Sequence, residues 1–152
     1  MEYSWGLTQT LLRRPVDLII DMNVYSDGRW GAQEATEAEL VRRKCLKNGI
    51  QFIGLENYPF GEVCSRFDTD YFSSTLDYAI ALALYRDFGE ITLYGCTMSF
   101  ADYGKLKCGA DFWCGVAKGM GVKLRVHGET TIMKTTDGLI YGYGIKQGGI
   151  YA

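Results

Sequence analysis

The stretch DTDYFSSTLDYAIALALYRDFGEITLYGCTM, residues 68–98, reads as a loop, a helix, a glycine stop and a strand that ends in a second loop. Ser73 and Ser74 are capping residues, and Asp77, three positions after Ser74, stands where a capping-box acid reaches back to the free amides. Leu76, Ala79, Ile80, Ala83 and Leu84 recur at helical spacing. Ala81 and Leu82 make the opposite side apolar as well, so the spacing predicts a helix covered on most faces. Gly89 is expected to end it. Glu90 to Tyr94 then reads as a strand too apolar for a solvent-facing edge, and Gly95 lets the backbone turn.

Toward the amino terminus, Tyr3–Leu7 and Val16–Ile20 read as strands, the second giving way to Asp21, Met22 and Asn23. The loop VYSDGRWGAQEA carries Trp30 between Gly28 and Gly31. Thr36, with Glu39 three residues on, predicts a capped helix that runs to Asn48 and Gly49. Ile50–Leu55 reads as another strand, ending in Glu56 and Asn57, and Tyr58, Pro59 and Phe60 open a connection to the central unit. Toward the carboxyl terminus, a helix is expected over about residues 109–120 with Phe112, Trp113, Val116 and Ala117 as its apolar side, followed by a last strand from Val122 to Val126 and a turn capped by Thr130 or Thr131. The Gly- and Tyr-rich residues 137–152 are expected to lie extended over the domain or against a partner.

This alternation argues for an α/β fold in one domain, residues 1–152: three layers, with a mainly parallel sheet between helices. Right-handed crossovers place every strand's carboxyl end on one edge. That edge collects Asp21, Asn23, Glu56, Asn57, Gly95, Cys96, Thr97 and His127, and the amides of Ser74 and Thr75 face it as an anion-binding corner.

The chain has 152 residues, 47% of them hydrophobic and 22% charged, the composition of a globular domain. A net charge of -2 gives no reason to expect nucleic acid, and the basic cluster Arg42, Arg43, Lys44 and Lys47 lies beside Glu37 and Glu39 as a solvated helix face. No apolar run has the length of a membrane span and MEYSWGL lacks a signal peptide's features, so no membrane and a cytoplasmic location are expected. The five cysteines include no Cys-x-x-Cys pair and read as buried thiols. With His127 as the only histidine, neither a zinc site nor a cofactor is expected.

YFSSTLDYAIALALYRDFGEITLYGCTM, followed by GVKLRVHGETTIMK, resembles an uncharacterised Rossmann-like family of bacteriophages and prophages, and more distantly is similar to family 42 sialyltransferases and hydroxymethylpterin diphosphokinase-like proteins. WGL and VDLIIDMN fit the preceding strands. The resemblance implies a nucleotide or nucleotide-derived small molecule as ligand, with the Ser73, Ser74 and Thr75 loop against it and the Gly95 to Met98 turn lining the same cleft. It also implies an earlier strand and Gly-rich loop that this chain lacks, and a histidine at a position where this chain has none, so no general base carries over. The missing strand predicts a homo-oligomer that covers the gap, and a phage origin places the protein in the host cytoplasm.

The expected site is therefore Asn23, Glu56, Asn57, Ser73, Ser74, Thr75, Gly95, Thr97 and Tyr103, holding the ligand without transforming it. The alternatives are a transferase with a nucleotide-linked donor, transferring a glycosyl or phosphoryl group, and an interaction module with no small ligand. Each residue also has a plain structural reading. Ser73–Thr75 can be only a cap, and Asp21, Glu56 and Asp102 only turn acids. Trp30, Tyr58, Phe60, Tyr71 and Tyr103 are candidates to stack on a base, whereas Trp113 reads as core.

Overall fold

The computed structural model describes residues 3–7, 10, 14–25, 31–98, 104–135 and 137–147. They form an α/β protein with four helices and parallel strands in small sheets, in two compact units, Met1–Thr69 and Asp70–Ala152. Among the described residues no helix is long and apolar enough to cross a membrane.

In the first unit, β1 (Trp5–Leu7), β2 (Leu18–Ile20) and β3 (Gln51–Ile53) make a parallel sheet in the order β1-β2-β3. All three residues of the central strand β2 are buried, so both faces of that strand are removed from water. Helix α1 (Ala32–Asn48) joins β2 to β3. Ala38, Val41 and Cys45, spaced three and four apart, are its buried residues, and Val41 and Cys45 pack with Val16 and Ile19. Gly49 closes α1 in the left-handed conformation, φ 65°, and its N–H meets the Cys45 and Leu46 carbonyls as the spacing predicted.

Two local expectations are corrected here. α1 begins at Ala32, so Thr36 lies inside it and its hydroxyl donates to the Ala32 carbonyl at 2.8 Å instead of capping. The segment after Pro59 is helix α2 (Phe60–Phe67), whose N-cap is Pro59 and whose buried residue is Val63. Proline serves here because the N–H it lacks has no partner at a helix start.

In the second unit, α3 (Thr75–Tyr85) is the covered helix that its spacing predicts, with Leu76, Asp77 and Ile80–Leu84 buried. It ends at Arg86, and Asp87 at φ 58° makes the turn that was expected of Gly89. β4 (Glu90–Tyr94) and β5 (Lys123–His127) pair in parallel through α4 (Gly104–Gly119), which starts five residues earlier than its apolar pattern suggested. The buried side of α4 is Gly109, Ala110, Trp113, Cys114 and Ala117, whereas Phe112 is exposed. β4 and β5 alternate. Ile91, Leu93, Leu124 and Val126 are the more covered set, and Glu90, Tyr94, Lys123, Arg125 and His127 are exposed. β4 therefore has a solvent-facing side after all, since Tyr94 and Glu90 fall on the same face of the pleat.

The described part of the tail, residues 137–147, is a short antiparallel hairpin, β6 (Leu139–Ile140) with β7 (Ile145–Lys146), rather than an extended strap. Gln147 ties its base, donating from its backbone to the Gly138 carbonyl and accepting from the Thr135 N–H, both at 2.8 Å.

Candidate functional site

At the carboxyl end of β2, the Asp21 N–H continues the ladder by donating to the Ile53 carbonyl at 2.9 Å, and the chain then leaves the sheet. The Asp21 side chain is held at this edge, only 5% exposed. A buried carboxylate needs donors. Asp21 has the Asn23 N–H at 3.1 Å on Oδ1 and the Tyr25 hydroxyl at 2.9 Å on Oδ2. The Tyr25 oxygen in turn accepts from Asn23 Nδ2 at 3.3 Å. The three side chains thus lock one another, and Asn23 retains Oδ1 and one N–H with no partner among the described residues. That acceptor and donor lie side by side on one planar amide, the pair that reads the edge of a nucleobase.

Glu56 and Asn57, expected at the same edge, serve the turn after β3. Asn57 Oδ1 accepts from the Gly54 N–H at 2.8 Å and Nδ2 donates to the Phe52 carbonyl at 2.9 Å, so both ends of the amide are spent on the backbone. Glu56 pairs with Arg42 at 3.4 Å, on an exposed surface where such a pair contributes little. Arg42 also lies over the Phe52 ring, 4.8 Å from its centre. The neighbouring Arg43 pairs with Glu39, which makes this basic face the solvated one its composition suggested.

The Ser73–Thr75 corner is built around an internal anion. Asp77, 0% exposed, accepts the Ser73 N–H at 2.6 Å and the Ser74 N–H at 2.9 Å on Oδ2, and the Ser74 hydroxyl at 2.8 Å on Oδ1. The Ser73 hydroxyl lies within reach of both Asp77 Oδ2, at 2.9 Å, and the Leu106 carbonyl of α4, at 3.0 Å, with one proton to give. Ser74 is the N-cap and Asp77 completes the capping box. The two serine amides therefore donate to a side chain at the place where a phosphate would sit.

Gly95 and Thr97 lie in the loop after β4, which is laced to the loop after β5. Thr130 Oγ1 donates to the Cys96 carbonyl at 2.6 Å. The Thr131 N–H donates to the Thr97 carbonyl at 3.0 Å, and its hydroxyl to the Met98 carbonyl at 2.8 Å. Among the described residues no hydrogen bond joins this loop to Ser73–Thr75. His127 stacks on Tyr94, ring centres 4.8 Å apart and planes 8° from parallel. Of the stacking candidates, Tyr58 is buried, Phe60 and Tyr71 are exposed, and Trp113 is core with its Nε1 donating to the Tyr71 carbonyl at 2.9 Å. Tyr103, Asp102, Trp30 and Gly28 lie outside the described residues.

Burial pushes the Cys45 and Cys96 thiols up, and Cys114 up to about 12, with nearby Asp111 adding to the effect. Such thiols are poor nucleophiles. Among the described residues no cluster of three or more His, Cys, Asp or Glu side chains is placed to hold a metal ion. Tyr25 is the edge residue that the sequence reading missed; its only signal was its position four after Asp21, on the far side of Asn23. Comparison with protein-family models, with curated proteins and with solved structures finds no match to this chain.

Proposed function

We propose that the protein is a Rossmann-like, phage-type binder of a nucleotide or nucleotide-derived small molecule, held at the carboxyl edge of β1-β2-β3 without being transformed. The observation that supports this reading is the Asp21–Asn23–Tyr25 lock, which fixes an amide donor and acceptor in place at the end of the central parallel strand. Ligands of parallel α/β sheets bind outside the carboxyl ends of the strands, and a pre-positioned amide loses little freedom on pairing with a base. The parallel units β2-α1-β3 and β4-α4-β5 are the chain's support for the Rossmann-like class. Assembly into a homo-oligomer belongs to the same reading.

Native mass spectrometry of protein purified from cells, joined to titration with a nucleotide panel, tests it. An intact co-purifying nucleotide derivative, with affinity reduced tenfold or more in Asn23→Leu at unchanged melting temperature, is the expected result. Turnover of a nucleotide-linked donor would replace it by the transferase reading. A bare mass together with no heat from any nucleotide would overturn it.

A further inference from the structure

The exposed face of β4-β5 carries a group that the edge site does not use. In the parallel register Tyr94 stands beside His127, Thr92 beside Arg125 and Glu90 beside Lys123. Tyr94 is 61% exposed although it is a large aromatic, and its ring already lies parallel to the His127 imidazole. Cross-strand rings stacked at strand spacing stand upright on the sheet, so each presents its outer face along the sheet surface. Among the described residues β4 pairs with β5 alone in this sheet. The charges beside the stack are lopsided. Among the described residues, Lys123 and Arg125 share the Glu90 carboxylate, and these three side chains sum to one formal positive charge.

We propose that this face is a second binding site, for a planar heteroaromatic ring that carries a phosphate. The ring continues the Tyr94–His127 stack, and its phosphate lies toward Arg125, two residues before His127 on the same side of the strand. Stacking on tyrosine and histidine suits any nucleobase, because every base has a π face. The phosphate completes the neutralisation that Glu90 leaves unfinished. A free nucleotide and a single-stranded oligonucleotide both present this chemistry, and the net charge of -2 favours the free nucleotide.

The test is amide-resolved NMR titration of the full chain with adenosine monophosphate, adenosine, inorganic phosphate and a ten-nucleotide oligothymidylate. Adenosine monophosphate should shift the amides around Tyr94, Gly95, Arg125 and His127, adenosine should bind more weakly, and phosphate alone should leave the Tyr94 and His127 rings unmoved. Tyr94→Leu and His127→Leu should each weaken binding about fivefold or more, and Tyr94→Phe, which keeps the ring, should restore it. An oligothymidylate bound no more tightly than the mononucleotide identifies the free nucleotide as the source; a tighter one identifies the strand. Absence of shifts on this face at millimolar nucleotide, or equal affinity in both leucine variants, overturns the proposal. Shifts confined to Asp21–Tyr25 overturn it while leaving the edge site standing, and shifts confined to the strand face do the reverse.

Discussion

Asp77 collects donors from two backbone amides and two hydroxyls with no access to water. Removing the acceptor takes the partner from both amides and from the Ser74 hydroxyl of this half-buried corner, while the Ser73 hydroxyl keeps the Leu106 carbonyl, so Asp77→Ala should cost about 2 kcal/mol of stability. Thermal or urea unfolding measures it, and a change below about 1 kcal/mol would show that the donors find other partners. The same carboxylate explains Gly109. A Cβ there would overlap Asp77 and Ser73, whereas one at Gly115, on the exposed side of the same helix, would meet nothing. Gly109→Ala should therefore destabilise, while Gly115→Ala should stabilise by roughly 0.5–1 kcal/mol through helix propensity alone. At the thiols, Cys108 is exposed and should react with a disulfide reagent in the native protein, whereas Cys45 and Cys114 should react only after unfolding. Because the folded Cys114 thiol keeps its proton to about pH 12 and the unfolded one loses it near 9, stability should fall as pH rises between those values. A melting temperature that holds steady from pH 9 to 11 would contradict this. Asp77's capping role was legible three positions after Ser74; its contact with the region of Gly109, thirty-two positions on, was not.

Two capping boxes were written in the sequence, and the chain uses one. Ser74 has the extended backbone that a cap requires, φ -154° and ψ 161°. Thr36 instead follows Ala32-Gln33-Glu34-Ala35, good helix formers that carry the helix back to Gly31. Substitution separates the cases: Ser74→Ala should cost about 1 kcal/mol, and Thr36→Ala should be neutral or stabilising by a few tenths. A similar loss at both sites in thermal melts would restore the cap at Thr36. α2 escaped notice because its eight residues bury one apolar side chain, Val63, and begin inside a Tyr-Pro-Phe that reads as loop. α3 was plain because its apolar residues run all round. Leu82→Asp places a charge at a fully buried position and should unfold the second unit, a loss of about 4 kcal/mol or more visible by circular dichroism.

At the scale of the whole molecule, the most exposed aromatics among the described residues are on the tail hairpin, Tyr141 at 96% and Tyr143 at 77%. Two-stranded hairpins are marginal alone, and exposed tyrosines suit a contact with another copy. Light scattering after size exclusion should find a homo-oligomer at micromolar concentration, and the double change Tyr141→Ser, Tyr143→Ser should shift it toward monomer; a monomer in both cases would end that expectation. Apart from α2 and the tail hairpin, the elements and their order could be read from the chain, because helical spacing, glycine stops and short aliphatic runs act within a few residues of themselves. So could the parallel sense of β1-β2-β3 and of β4-β5, since the connections between those partners are too long for a tight hairpin and two of them contain a helix. What a polar side chain does at a strand end was decided only by folding. Asn57 and Asn23 look alike in sequence, each following an acid near a strand's end, yet Asn57 closes its own turn at both ends while the half-buried Asn23 is tied to Asp21 and Tyr25. Ser73 and Ser74 likewise read as an anion corner until Asp77 is seen to fill it. These partners lie only two to five positions apart, so the local turn that folding fixes selects among them, and residue type alone leaves several choices of similar energy.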